Sequence, residues 1–78
     1  MFVVRKTRRC GAHELVTEDN VVLVRAVVEI VADRVVDYYE FRDELPMTEW
    51  LGGRIDIKKD EKGVPRAYYQ GRWLRSTR

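Results

Sequence analysis

The chain has 78 residues, of which 45% are hydrophobic and 36% charged, with one cysteine and a formal net charge of +2. That length allows one domain, residues 1–78, with a modest core, and the lone Cys10 excludes an internal disulfide and fits a reducing, cytoplasmic setting. Arg5, Lys6, Arg8 and Arg9 stand where a secretory signal would be apolar. The most apolar stretch, 21–36, carries Arg25, Glu29, Asp33 and Arg34 at about 2.5–3.5 kcal/mol each near a bilayer centre, so neither a signal peptide nor a membrane span is expected.

In chain order, residues 2–9 predict a short edge strand that stops at Cys10-Gly11. Thr17 or Asp19 is a candidate N-cap for a helix beginning near residue 20. Arg25, Glu29, Asp33, Asp37 and Glu40 then recur at spacings of 4, 4, 4 and 3, opposite Val24, Val27, Val28, Val31, Val35, Tyr38 and Tyr39. This period predicts an amphipathic helix within 21–42. The competing reading is a hairpin, 21–30 and 35–42, turning at Val31-Ala32-Asp33-Arg34, because eight valines between 21 and 36 favour strand. Alternation is poor in its second strand, so the helical period takes precedence. Leu45-Pro46 ends the element, and Thr48 caps one helical turn, Glu49-Trp50-Leu51, stopped by Gly52-Gly53. Residues 54–59 alternate as a strand, 60–65 form a loop, and 66–69 and 72–75 flank a two-residue turn at Gln70-Gly71. The expected class is α+β: a β-α-β-β-β domain with one amphipathic helix packed on a three- to four-stranded antiparallel sheet.

Charge is segregated along the chain. Residues 1–12 hold four basic side chains and no acid, 13–53 hold ten acids against three arginines, and 54–78 hold eight basic groups against three acids. Basic ends around an acidic middle predict a polarised surface.

No catalytic constellation is evident. Cys10 and His13 form a C-x-x-H pair, but closed zinc sites need four ligands and there is no second such pair. The same two residues as nucleophile and base lack a marked orienting group. Glu29, Asp33 and Asp37 could hold Mg²⁺ from one helix face, although an acidic run is ordinarily a solvated face. Gly52-Gly53 lacks the Lys-Ser/Thr of a phosphate loop.

The C-terminal hairpin is the most informative segment. A turn at Gln70-Gly71 pairs Tyr69 with Arg72, Tyr68 with Trp73, Ala67 with Leu74 and Arg66 with Arg75. One face then carries Tyr68 and Trp73 bracketed by Arg66 and Arg75, an arrangement suited to stacking single-stranded bases and neutralising phosphates. Alternatively, Tyr68 and Trp73 form the core face and the arginines snorkel past them. The side of the sheet that bears Trp73 separates the two.

The segment from Ile57-Lys58-Lys59-Asp60-Glu61-Lys62-Gly63 through Tyr69-Gln70-Gly71-Arg72 resembles the three-stranded arm-site DNA-binding domains of phage-type integrases, over about a quarter of the chain. The helix that comes after that family's sheet has no counterpart in the residues up to Arg78, and no functional residue is carried over.

The sequence therefore predicts a non-enzymatic nucleic-acid-binding or regulatory protein. Its binding residues would be Arg5, Arg8, Arg9, Lys58, Lys59, Arg66, Tyr68, Arg72, Trp73 and Arg75, with no cofactor or metal. The alternative is a protein-interaction module or inhibitor, of the kind phages encode, docking on a larger protein through its charged faces. A homodimer would serve either.

Overall fold

The computed structural model describes residues 7–43 and 47–76, and among these there is no helix. Seven strands form one mixed sheet: β1 (Thr7–Val16), β2 (Val22–Val31), β3 (Arg34–Glu40), β4 (Thr48–Trp50), β5 (Arg54–Lys59), β6 (Pro65–Tyr69) and β7 (Arg72–Leu74). Their spatial order is β3-β2-β1-β5-β6-β7, with β4 beside the first half of β1. β1–β2–β3 and β5–β6–β7 are two antiparallel meanders, joined where β4 and β5 run parallel to β1. The class is all-β, which overturns the α+β expectation.

The central segment is a hairpin, not a helix. β-branched side chains pack well on a pleated surface and lose χ1 freedom in a helix, and the valines of 21–36 obey that preference. A spacing of four residues returns to the same face of a strand as well as of a helix, so Arg25, Glu29, Asp33 and Asp37 do not discriminate between them. Two irregularities imitate the rest of the helical period. Arg25 adopts a left-handed φ of 56°. Val36 is an extra residue in β3, where pairing shifts between Glu29↔Asp37 and Ile30↔Val35. The chain reverses at Ala32 (φ 58°) and Asp33.

Two further expectations change. The first strand does not stop at Cys10-Gly11; it continues to Val16 and lies in the middle of the sheet rather than at an edge. Its anticipated residues 2–6 lie outside the described residues, as does Leu45-Pro46. The expected helical turn at Glu49-Trp50-Leu51 is instead β4 and the residue after it, with Cys10 and Gly11 opposite Glu49 and Trp50. Thr17 caps no helix. Its Oγ1 accepts from the amides of Asp19 (3.3 Å) and Val21 (3.1 Å), closing the β1–β2 loop, where Asn20 takes φ 64°.

The C-terminal meander has the anticipated register: Tyr69↔Arg72, Tyr68↔Trp73 and Ala67↔Leu74. Gln70 and Gly71 both have positive φ (52° and 79°), as a two-residue primed turn requires.

The core lies inside the curl between the two meanders: Cys10, Ala12, Leu15, Ala26, Val28, Ile30, Val35, Ile55, Ile57, Ala67 and Leu74. In β1 the inward set passes from Cys10 and Ala12 to Leu15, and in β2 from Leu23 to Ala26, both against strict alternation. The two changes occur at the same level, His13 beside Arg25, so the pairing on either side keeps its register (Ala12↔Ala26, Glu14↔Val24). Both strands therefore switch their inward face together at this kink, next to the paired and fully buried Ala12 and Ala26. Alongside, β4 and β5 are separated by Leu51-Gly52-Gly53, with the Leu51 amide donating to the Gly11 carbonyl (2.8 Å) and the Glu14 amide to the Gly53 carbonyl (3.1 Å). The far ends of the curl meet where the Ser76 amide donates to the Ala32 carbonyl (2.7 Å).

Candidate functional site

On β5–β6–β7, the buried Ile55, Ile57, Ala67 and Leu74 define the inner face. Cross-strand partners share a face, so the rows Asp56–Tyr68–Trp73 and Lys58–Arg66 lie on the outer one. Trp73 is 39% exposed and turned away from the core, which excludes the arrangement in which it forms the core face. The guanidinium carbons of Arg66 and Arg75 lie 4.7 and 4.8 Å from its ring centroid.

Arg66 is held from several sides. Its Nε and Nη2 donate to Asp60 Oδ2 (3.1 and 2.8 Å), and its Nη1 donates to the Asp33 carbonyl (2.8 Å) and lies 3.3 Å from Asp33 Oδ2. Asp60 Oδ1 accepts from the Val64 and Lys62 amides (2.9 and 2.8 Å). This side chain therefore joins the β2–β3 turn and the β5–β6 loop to the sheet and fixes one flank of Trp73.

The other predicted binding residues are dispersed. Arg5 lies outside the described residues. Arg8 is engaged by Glu49 through Nε (2.7 Å) and Nη2 (3.0 Å), while its Nη1 donates to the Arg75 carbonyl (3.0 Å). Arg9 Nε donates to Glu29 Oε2 (3.2 Å), which also accepts from the Tyr39 hydroxyl (2.6 Å). Arg72 pairs with Tyr69 on the inner side of the meander, and the Tyr69 hydroxyl donates to the Leu51 carbonyl (2.7 Å). Lys58 and Lys59 are exposed at the end of β5. The structure thus brings Lys58, Arg66, Tyr68, Trp73 and Arg75 together, and it holds Arg8 and Arg9 against carboxylates. Among the described residues no carboxylate lies within ion-pair distance of Lys58 or Arg75.

These ion pairs set an acid sensitivity. The hydrogen bond donated by the Val64 amide, then that from the Arg66 guanidinium, hold the Asp60 carboxyl below the ordinary carboxylate range. Arg66 does the same to Asp33, and Arg8 to Glu49. Groups with depressed folded pKa contribute stability that is fully present above the unfolded value, roughly pH 4, and lost as pH falls through the folded one. Asp60→Asn is therefore expected to lower Tm at pH 7, and thermal melts should show the gap to the parent protein narrowing at pH 3.

Cys10 and His13 are on opposite sides of β1. Cys10 is fully buried, and burial pushes its thiol up to about 11, whereas His13 is exposed and edge-on to Trp50 at 5.0 Å. Glu29 and Asp37 are cross-strand neighbours, and Asp33 is at the turn with Arg66 and Arg34. Among the described residues no group of three or more His, Cys, Asp and Glu is placed to hold a metal ion. No described helix is long and apolar enough to cross a membrane.

A second feature, which no motif in the sequence marks, is an open groove of about 1190 Å³ on the outer face of the kink. Trp50 and Phe41 are its aromatic walls, and Arg25 and Arg54 its cations. The kink that places Arg25 there leaves only one trace in the sequence, the misphased valines of β2.

Comparison with protein-family models, curated proteins and solved structures finds no match to this chain. The meander that resembles integrase arm-site domains is part of the seven-stranded sheet, not a unit of its own.

Proposed function

We propose that this is a non-enzymatic cytoplasmic protein that binds single-stranded nucleic acid on the outer face of β5–β6–β7. The observation that carries this reading is the outward Trp73, flanked by Tyr68 and by cations. An aromatic of this size in so small a domain is ordinarily needed for the core, and here it is spent on the surface. Bases offer a π-face irrespective of sequence; Tyr68 supplies one platform and Trp73 an adjacent one, which a base takes by displacing the Arg75 guanidinium from over the ring. Arg66, its charge met by Asp60 and Asp33, acts as the fixed support, while Lys58 and Arg75 are the cations available to phosphates. Arg8 and Arg9 do not contribute, so the footprint is smaller than the basic termini suggest.

Fluorescence anisotropy with single-stranded DNA and RNA oligonucleotides at several salt concentrations tests the reading. Each phosphate neutralised on a single strand contributes about −0.7 to the slope of log K against log salt, so Lys58→Ala with Arg75→Ala should flatten that slope by about 1.4. Absence of binding at low salt would reject nucleic acid as the ligand. A stoichiometric, nuclease-insensitive protein partner, identified and shown to bind the same face, would put the docking alternative in its place.

A further inference from the structure

We infer that the groove over the kink is a second nucleotide subsite, taking a base against Trp50 and Phe41 and its phosphate at Arg25 and Arg54. This rests on the nucleic-acid reading and extends it to a different part of the surface. Trp50 is seated directly on β1. A Cβ at Gly11 would come within 2.9 Å of its Cε3 atom, so only glycine lets the indole lie there. Yet 49% of Trp50 is exposed, which leaves ring surface open to the groove. Phe41 meets it edge-on at 6.1 Å and 86°. The resulting corner has one aromatic surface to stack on and a second to close the side of a planar ring.

Charge selects the ligand. Among the described residues, two guanidiniums and one carboxylate, Glu14, line the groove, and the Glu40 carboxylate beside it accepts from the Val24 amide (3.0 Å). Arg25 is stacked over Phe41 at 5.5 Å and, among the described residues, meets no carboxylate. Among the described residues, Arg54 meets one carboxylate, the half-buried Asp56, at 3.7 Å. Arg25 also stands in left-handed backbone (φ 56°), which is strained for a non-glycine residue, and such strain gathers where a side chain must be aimed. An aromatic corner with two nearby forked donors suits a planar heteroaromatic ring carrying a phosphate. Arg54, at the groove's edge, stands on the same outer side of β5 as the proposed binding face. From Arg54, the next outward position on β5 is Asp56, which pairs with Tyr68 and through it with Trp73. One strand can therefore engage both aromatic sites.

The two indole N–H resonances in ¹H–¹⁵N spectra of the intact protein, assigned with Trp50→Phe and Trp73→Phe, report the two sites separately. Titration with adenosine monophosphate should shift the Trp50 signal, adenosine should bind more weakly, and Arg25→Ala with Arg54→Ala should weaken the nucleotide by about tenfold and erase its advantage over the nucleoside. A single-stranded oligonucleotide should then move both signals. If it moves only the Trp73 signal, the groove is not a subsite and the β5–β7 reading stands. If it moves neither, the nucleic-acid reading itself fails. Equal affinity for nucleoside and nucleotide in the parent protein would overturn the role given to the two arginines.

Discussion

Leu15→Ala should destabilise the protein by about 2–5 kcal/mol in urea unfolding, whereas Val24→Ala, one strand away, should cost less than about 0.5 kcal/mol. Leu15 is fully buried, opposite Leu23 on β2 and Ile55 on β5, and Val24 is 65% exposed. Strict alternation from Cys10 and Ala12 would put Leu15 on the outer face and Glu14 in the core. The joint kink at His13 and Arg25 reverses this, so the contrast between the two variants measures the kink. The loss is large against the total, since roughly 0.05–0.15 kcal/mol per residue gives a chain of this size about 4–12 kcal/mol. Leu15 also stands at the seam where the N-terminal meander meets the C-terminal one through parallel pairing, and a cavity there loosens the contact that holds the two meanders together. Similar values for the two variants would mean that the inward face does not switch.

The C-terminal third is legible because its signals are local. Ile55 and Ile57 alternate with Asp56 and Lys58, and Gln70-Gly71 marks the turn, so the strands, their register and the company of Tyr68 and Trp73 are fixed by neighbours in sequence. The middle third is not legible by the same reasoning. Arg25, Glu29, Asp33 and Asp37 share a face in either secondary structure. The position that breaks the strand period, Val36, is a bulge that only the partner strand reveals. Valine composition carries the correct answer there, and a period produced by a kink and a bulge outweighs it. β4 illustrates a different loss. Thr48, Glu49 and Trp50 are too few to show alternation, and they become a strand only because β1 offers them an edge at Arg9, Cys10 and Gly11. The basic N-terminus reads as charge without partners, yet Glu49 and Glu29 reach Arg8 and Arg9 from 41 and 20 residues away, and no sequence spacing announces such a pair. The groove is hidden for the same reason, since His13, Arg25, Phe41, Trp50 and Arg54 meet only after β1, β2, β4, β5 and the end of β3 are assembled.

Trp73→Ala should weaken binding of a single-stranded oligonucleotide about 5- to 150-fold, the equivalent of the 1–3 kcal/mol that one stacked base contributes. Trp73→Phe, which keeps a π-face, should retain most of the affinity. Because Trp73 is on the outer face, either variant should keep the far-ultraviolet spectrum and a cooperative melt, so the loss cannot be attributed to unfolding. The salt dependence identifies its origin. Trp73→Ala removes no charge, so log K plotted against log salt should be displaced downward and remain parallel to the parent line, whereas loss of Lys58 and Arg75 should change the slope. A change of slope in Trp73→Ala would show instead that the indole works by positioning the guanidinium of Arg75, 4.8 Å from its ring, and not by stacking on a base. Undiminished affinity in that variant would remove Trp73 from the binding face altogether.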